Sequence, residues 1–179
     1  MNTEEKKREA ENMNRVHRIF THPLYKDCLK KNEEAEKERV FCGHDMPHFL
    51  DVARLAYLFS LERGYGVPKE EIYAAALLHD IGRWRQYCDG TPHDKASAEL
   101  AEGILESCGF SKREQSRILT AILSHRGKEN AVKEAATKEA GHLAEILYDA
   151  DKLSRPCYGC GAIKECDWEK EKKNLQILW

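Results

Sequence analysis

The most restrictive feature of this 179-residue chain is an apolar segment that ends in two ionisable residues. Residues 72–78 (Ile-Tyr-Ala-Ala-Ala-Leu-Leu) are apolar nearly all round, which predicts a central buried helix. His79 and Asp80 follow directly, and such groups are costly to bury unless they are paired or bind a metal. The segment therefore predicts a helical core with a polar site at its edge.

The composition favours an all-α protein. Valine occurs only five times, whereas the helix formers Ala, Leu, Glu and Lys are abundant. We expect a compact helical bundle in one domain, residues 1–179, with its core at roughly 40–155. N-terminal helices (1–39) would precede this core, and a short Cys-bearing tail (156–179) would follow it.

Hydrophobic periodicity and breaker residues predict the individual helices. The segments are Met13–Phe20, Leu24–Val40, a helix from His48 to the Gly64 region, Lys69–His79, 93–108, 112–125 and 141–154. The charged end of the second segment, residues 33–39, is expected to be exposed. Residues 83–92 are expected to form a polar loop, and 128–140 a polar helical hairpin.

Charge and hydropathy exclude several classes of protein. The net charge is −2, which does not favour a nucleic-acid binder. No run approaches the ~20 apolar residues that span a bilayer, and the N-terminus lacks the apolar stretch of a signal peptide. We therefore expect a cytoplasmic protein with reduced cysteines and with no nucleic-acid or membrane partner.

Two further positions place metal-ligand side chains on inward helical faces. His48 lies four residues before Val52, and Asp151 lies four residues after Leu147. Together with His79 and Asp80, they would bring two imidazoles and two carboxylates to one point. This donor set suits a divalent ion (Mn, Fe, Co, Ni, Mg or Zn) and leaves coordination positions open, as a catalytic site requires.

The chain resembles the HD phosphohydrolase superfamily in three motifs. They are His48-Phe-Leu-Asp-Val-Ala-Arg-Leu-Ala, Ala-Leu-Leu-His79-Asp80-Ile-Gly-Arg and Tyr-Asp-Ala-Asp151-Lys-Leu-Ser-Arg, which span roughly residues 40–155. The Gly43-His44-Asp45-x-x-His48 arrangement is similar to that of small stand-alone bacterial HD proteins. The resemblance implies an all-helical enzyme that hydrolyses phosphate esters of nucleotides with a divalent metal, which Asp80, His48, His79 and Asp151 would hold.

Two more histidines, His93 and His125, fall in the intervals where two-metal members of this superfamily carry extra histidines. A binuclear site bridged by Asp80 is therefore one alternative. One-metal members place substrate-contacting groups in the same region. We favour one tightly held ion, with His93 and His125 lining the substrate site.

The expected reaction is attack of a metal-activated water on a phosphoester. Asp80 would orient that water, while cationic side chains would neutralise the phosphate oxygens. The candidate cations are Arg83, Arg126, Lys152 and Arg155. His44 would contact phosphate or protonate the leaving oxygen, although a structural role in its loop is equally open. A catalytically silent HD-type protein that binds a regulatory ligand is the main alternative, and a helical scaffold for interactions is another.

The tail carries Cys157-x-x-Cys160 and Cys166, which predict a second metal site for structural zinc or an iron–sulfur cluster. Both need a fourth ligand, for which Cys42, Cys28 or a histidine is available. Reduced thiols packed in a small tail are the alternative. The apolar C-terminus, which ends in Trp179, would dock on the body of the protein or on a second subunit of a homodimer.

Overall fold

The computed structural model describes residues 13–127 and 137–177, and all regular structure in these ranges is helical. The protein is therefore all-α, as its composition predicts. No described helix is long and apolar enough to cross a membrane. The helices are α1 (13–21), α2 (Pro23–Ala35), α3 (Met46–Glu62), α4 (Lys69–Leu78), α5 (Arg83–Cys88), α6 (His93–Ser107), α7 (Lys112–Ser124) and α8 (Lys138–Leu153), followed by 3₁₀ turns at Cys157–Gly159 and Lys170–Lys172.

Helix α4 lies at the centre of the bundle, in contact with α3, α6, α7 and α8. Ile72 and residues 74–78 are all buried, which confirms the predicted central helix. Helix α8 packs against both α3 and α7. Because α3 and α8 both contact α4, their polar residues can meet the polar residues that follow it.

The N-terminal end of α4 carries two buried carboxylates, Glu70 and Glu71. Arg117 of α7 donates two hydrogen bonds to Glu71, at 2.8 and 2.5 Å. Arg15 of α1 donates from Nε to Glu70 at 3.0 Å. These ion pairs satisfy the buried charges within the chain, and they tie α1 and α7 to the start of the central helix.

The turn after α4 is held from two sides. Gly82 donates its backbone N–H to Ser97 Oγ of α6 at 2.9 Å. A Cβ at position 82 would lie 2.5 Å from the backbone nitrogen of Ser97, so only glycine allows α6 to approach this closely. On the other side, Asn32 of α2 donates to the carbonyl oxygen of Asp80 at 2.9 Å and accepts from the backbone of Trp84 at 2.8 Å.

Several predicted boundaries were wrong. The expected loop at 83–92 contains α5, because Asn32 orders its first turn from a helix that is distant in sequence. Helix α2 ends at Ala35 rather than Val40. Helix α8 begins at Lys138 rather than Gly141, since Thr137 caps it by accepting from the backbone of Ala140 at 3.2 Å. The predicted hairpin at 128–140 lies mostly outside the described residues.

Candidate metal centre

Three helices deliver the four residues expected to bind metal. Asp45 caps α3 by accepting from the backbone of His48 at 3.0 Å, which fixes His48 in the first turn. His79 caps the C-terminal end of α4, and Asp80 follows it. Asp151 lies in the last turn of α8. One ligand atom from each of the four residues lies within 4.8 Å of the others, so the structure brings the whole set together.

Backbone carbonyls orient two of the histidines. His79 Nδ1 lies 2.7 Å from the carbonyl oxygen of Ala76, and His125 Nδ1 lies 2.6 Å from that of Ile122. A carbonyl oxygen can only accept, so each Nδ1 carries a proton, and Nε2 is the nitrogen of each ring that is left to bind a cation. Both Nε2 atoms lie in the centre. Metal-binding histidines in proteins have this arrangement.

Three buried ligand atoms of the centre have no hydrogen-bond partner among the described residues: His48 Nε2, His79 Nε2 and Asp80 Oδ1. His48 Nε2 lies 3.6 Å from Asp151 Oδ1, which is longer than a good hydrogen bond. Buried polar atoms without partners are rare and costly. Two imidazole nitrogens and a carboxylate oxygen that converge in this way fit a divalent cation.

A second group of ligands shares Asp80 with the first. Asp80 Oδ1 lies 3.3 Å from His93 Nε2 and 3.6 Å from His125 Nε2, and the three residues form a compact buried set. The other oxygen, Oδ2, lies 3.2 Å from His79 Nε2. The two oxygens of Asp80 thus face two different ligand groups. This geometry fits the binuclear alternative, and it is equally compatible with a one-metal site that His93 and His125 line.

Burial and the carboxylates have opposite effects on the histidines. Burial lowers the pKa of His48 to about 4, so this ring is neutral and able to bind a metal. Burial also opposes charge on His79, but Asp80 and Asp151 outweigh it and raise the pKa of His79 to about 10. Although burial acts against it, contact with His79 keeps the pKa of both carboxyl groups well below the usual range. The centre therefore attracts positive charge.

The centre opens into a cavity of about 450 Å³, a volume typical of small-molecule sites. All the side chains that the sequence singled out as substrate or catalytic candidates border it. Six of the bordering side chains are cationic, against three carboxylates. These cations are Arg39, Arg83, Arg126, Lys152, Arg155 and Lys173.

His44 also borders the cavity, and Glu36, the residue that follows α2, orients its ring. Its Nδ1 lies 2.5 Å from Glu36 Oε1, and its backbone donates to Glu36 Oε2 at 2.8 Å. This leaves Nε2 facing Asp80 Oδ2 at 3.6 Å. Burial raises the pKa of Glu36, but hydrogen bonds from His44 and Tyr87 outweigh it and hold the pKa at about 2. The prediction of an exposed segment at 33–39 was therefore wrong at Glu36.

The predicted metal site of Cys157, Cys160 and Cys166 is not compact. Among the described residues, no group of three ligand atoms within 4.8 Å of one another includes a cysteine. All three residues nevertheless border the cavity, together with Cys42, one of the expected fourth ligands. These four residues are called the cavity cysteines below. Cys28 is buried in α2 and does not border the cavity.

Sequence reasoning missed several residues of the site. Two of them, Glu36 and Arg39, belong to the charged helix end that was predicted to be exposed, and Asn32 directly precedes it. Lys173 lies in the tail. No local pattern distinguishes Glu36 from the acidic residues beside it. Asn32 is the one weak signal, because an amide on the inward side of a helix needs a hydrogen-bond partner.

Comparison with known proteins agrees with this geometry. The family model of the HD domain matches residues 46–155, a range that includes every histidine and carboxylate of the two ligand groups. An uncharacterized protein of Clostridium beijerinckii is 42% identical over 167 residues, which cover 93% of this chain and 100% of that protein. A Bacillus subtilis protein that is provisionally named a phosphohydrolase is 25% identical over 170 residues, covering 89% of this chain and 87% of its own.

A solved structure shares the fold. The crystal structure of a predicted HD superfamily hydrolase from an uncultured Thermotogales bacterium superposes with a TM-score of 0.55 and is 27% identical. The match covers 83% of this chain and 80% of the other. Since the family model covers more than half of the chain and includes its clustered ligands, this protein belongs to the HD domain family.

Proposed function

We propose that this protein is a metal-dependent phosphohydrolase that cleaves a phosphoester of a nucleotide or a related small molecule. One observation carries the proposal: inward-facing ligand atoms without partners lie at the edge of a cavity bordered by six cationic side chains. A phosphate ester supplies the negative charge and the acceptor oxygens that such a cavity lacks. The phosphohydrolase name of the Bacillus subtilis relative supports the same chemistry.

The two ligand groups fit two divalent ions. His48, His79 and Asp151 would hold one ion, His93 and His125 the other, and Asp80 would contribute an oxygen to each. When bound, such ions supply Lewis acidity, which polarises a phosphoryl oxygen and lowers the pKa of water. Two observations support the second ion. His93 and His125 approach each other to 3.1 Å between their Nε2 atoms, and the His125 lone pair points inward.

The cationic side chains would bind and orient the phosphate. Arg83 is half-buried beside His93, with Nη1 lying 2.8 Å from His93 Nδ1. Lys152 contacts Asp151 Oδ2 at 2.5 Å and can turn toward an incoming anion from there. Arg126 and Arg155 border the same cavity. Guanidinium groups are well suited to this task because their donors match the oxygens of a phosphate.

His44 is the candidate general acid. Its Nδ1 is held by Glu36, so Nε2 is the nitrogen that faces the cavity and Asp80. A proton on Nε2 can therefore pass to the leaving oxygen of a phosphoester bound near Asp80. Glu36 acts as a positioning residue because its carboxylate stays anionic and holds the ring through Nδ1.

The apolar part of the cavity supports a nucleotide as the substrate. Phe41, Ile163 and Trp168 border the same space as the cations. The guanidinium of Arg155 lies 4.1 Å from the centroid of the Trp168 ring. A flat cation–aromatic surface beside phosphate-binding groups would stack a nucleobase while the phosphates occupy the charged end.

The test measures hydrolysis and metal content together. The wild type would be assayed on nucleoside mono-, di- and triphosphates and on a generic phosphomonoester, with Mn, Co, Ni, Mg or Zn added after chelation. We expect metal-dependent release of phosphate or pyrophosphate. His79→Ala and Asp80→Ala should lower it by more than about 100-fold, because losing a ligand costs more than losing a group that supports one.

The matched control is His17→Ala, which removes an exposed histidine of α1 and should retain wild-type metal content and rate. Full activity in either His79→Ala or Asp80→Ala would contradict the proposal. A wild type that binds metal and nucleotide without any turnover would instead support the silent ligand-binding alternative. The contact of Lys152 with Asp151, which competes with a cation for that carboxylate, is the observation that favours this alternative.

A further inference from the structure

The cavity cysteines come from two distant parts of the chain. Cys42 precedes α3, whereas Cys157, Cys160 and Cys166 belong to the segment that follows α8. The remaining cysteines, Cys28, Cys88 and Cys108, do not border the cavity. Folding therefore selects four of the seven thiols and places them on the wall of one space.

The cavity cysteines border the same space as Arg155, and this shared lining is what brings their thiols near one another. Burial raises the pKa of the Cys42 thiol, and the neighbouring Cys157 and Cys160 raise it further. Arg155 acts in the opposite direction and stabilises a thiolate. Its Nη1 is buried and has no hydrogen-bond partner among the described residues. A buried guanidinium without a full set of partners, beside several thiols, fits a group of negatively charged thiolates.

The segment after α8 has no core of its own. None of its described residues from 152 to 177 is buried. Asn174 attaches it to the body by donating to the carbonyl oxygens of Lys152 and Arg155, at 2.8 and 3.0 Å. A polar segment with so little apolar burial needs another source of order, which a metal centre commonly supplies in small cysteine-bearing units.

The spacing of the sulfur atoms indicates which kind of centre fits. Four thiolates around one zinc ion, at Zn–S distances of about 2.3 Å, would lie about 3.8 Å from one another. Within the part of the chain that is described, no three-ligand group that compact contains a cysteine. As they lie in the structure, the described thiols therefore do not form the compact group that a single tetrahedral ion requires. In a cubane cluster each thiolate ligates a separate iron, so the sulfur atoms can lie farther apart.

We propose that the cavity cysteines ligate an iron–sulfur cluster of the four-iron, four-sulfur (4Fe–4S) type. The cluster would join the loop before α3 to the segment after α8 and so complete one wall of the cavity. The proposed cluster uses a different set of ligands from the histidine–carboxylate centre, but it shares Arg155 and the cavity with the proposed substrate site, so its test measures sulfide rather than phosphohydrolase activity.

The experiment uses the full chain, expressed with ample iron and purified without oxygen. Acid-labile sulfide, iron and visible absorption are measured on the same sample. The wild type should contain about four sulfides per chain and show thiolate-to-iron absorption. Cys42→Ser and Cys160→Ser should each lose both signals. Cys88→Ser, which removes an exposed thiol outside the cavity, should retain both.

Two measurements separate this result from the metal centre and from misfolding. Sulfide is specific to the cluster, so His79→Ala should lose metal from the histidine–carboxylate centre and keep its sulfide. Helical circular dichroism of Cys42→Ser should stay at the wild-type level. The proposal is overturned by a wild type that carries no sulfide even after anaerobic reconstitution with iron and sulfide. Wild-type sulfide content in Cys42→Ser, or a single zinc bound by these cysteines without sulfide, overturns it equally.

Discussion

The two ends of the central helix α4 both carry buried ionisable residues, but they satisfy them in opposite ways. At the N-terminal end, Glu71 is fully paired by two hydrogen bonds from Arg117. At the C-terminal end, His79 Nε2 and Asp80 Oδ1 have no hydrogen-bond partner among the described residues. The buried charges of the first end are paired within the chain, whereas the second end has ligand atoms that could hold a cation.

The helix dipole makes this difference physically reasonable. The N-terminus of a helix favours negative charge and the C-terminus favours positive charge. Glu70 and Glu71 agree with this preference, and arginines balance them. The C-terminal end instead adds the carboxylates of Asp80 and Asp151 to a terminus that is already negative. A cation has to meet this demand, either as a proton on His79 or as a bound metal.

A buried charge therefore does not identify a functional site by itself. The carboxylates at the N-terminal end are as buried as those at the C-terminal end, yet they stabilise the fold. What distinguishes the C-terminal end is that its ligand atoms converge without partners and border a cavity.

The largest expected effects come from removing one carboxylate at each end. Glu71→Gln should lower the free energy of unfolding by about 3–5 kcal/mol, because it leaves Arg117 partly buried without its counter-ion. Asp80→Asn should change the unfolding free energy of the metal-free protein much less, but should lower the proposed phosphohydrolase activity by more than about 100-fold. Urea denaturation after chelation, together with activity per folded molecule, measures both.

Each variant serves as the control for the other. Glu71→Gln should retain its activity per folded molecule, since the residue lies at the opposite end of α4 from the cavity. The comparison would fail if Asp80→Asn destabilised the metal-free chain as much as Glu71→Gln does. The buried charges at the C-terminal end of α4 would then stabilise the fold as those at the N-terminal end do.

An intermediate effect is expected at the turn that presents His79 and Asp80. Gly82→Ala would bring its Cβ to 2.5 Å from the backbone nitrogen of Ser97, so α6 has to move. We expect a loss of about 1–3 kcal/mol in unfolding free energy, typical of overpacking. Activity should also fall, because His93 opens α6 and would shift with it.

Gly103→Ala is the matched control for Gly82→Ala. It lies in the same helix α6, but its Cβ would meet nothing within 4 Å. It should stabilise the protein by up to about 1 kcal/mol through helix propensity and leave activity unchanged. Equal effects of the two substitutions, measured by thermal denaturation, would show that the close approach at Gly82 does not matter.

The smallest expected effect concerns stability in acid at the N-terminal end of α4. There Arg15 donates hydrogen bonds to both Glu114 and Glu70. Hydrogen bonds from Arg15 outweigh burial and lower the pKa of Glu114 to about 2, from an ordinary value of 4.5. The contribution of Glu114 to stability is therefore complete above about pH 4.5 and is lost as the pH falls toward 2. We expect it to be about 1 kcal/mol, because solvent partly screens the pair.

The measurement compares the unfolding free energy of the wild type and Glu114→Gln between pH 7 and 2. The difference between them should shrink through the window from 4.5 to 2. Glu102→Gln, at an exposed position of α6, is the matched control that removes one surface carboxylate. A difference that stayed constant with pH would show that Arg15 does not stabilise the ionised form of Glu114.

Much of the fold was predictable because the periodicity that indicates a helix is a property of residues close together in the sequence. The apolar run at 72–78 and the inward spacing of His48 and Asp151 depend only on residues within a few turns. Helix α5 was missed because Asn32, from a distant part of the chain, orders its first turn. The start of α8 was misplaced because the glycine at position 141 was taken as the boundary, whereas the helix continues through it from the cap at Thr137.

The site shows the same division between local pattern and tertiary contact. The sequence identified His48, His79, Asp80 and Asp151 as residues that need a reason to be buried. It did not identify Glu36, since a carboxylate in a charged segment has no pattern that predicts contact with His44 eight residues later. Nor did it show that Asp80 turns its two oxygens toward two different ligand groups.

The sequence by itself determined the all-helical fold and the types of side chain that could bind a cation, because periodicity and chemical identity are properties of short segments. Only the tertiary structure decided which buried charges are paired within the chain and which are left to face a cavity. The physical reason is that pairing depends on distances between helices that are far apart in sequence. Because of those distances, Glu71 is paired with Arg117, whereas one oxygen of Asp80 has no hydrogen-bond partner among the described residues.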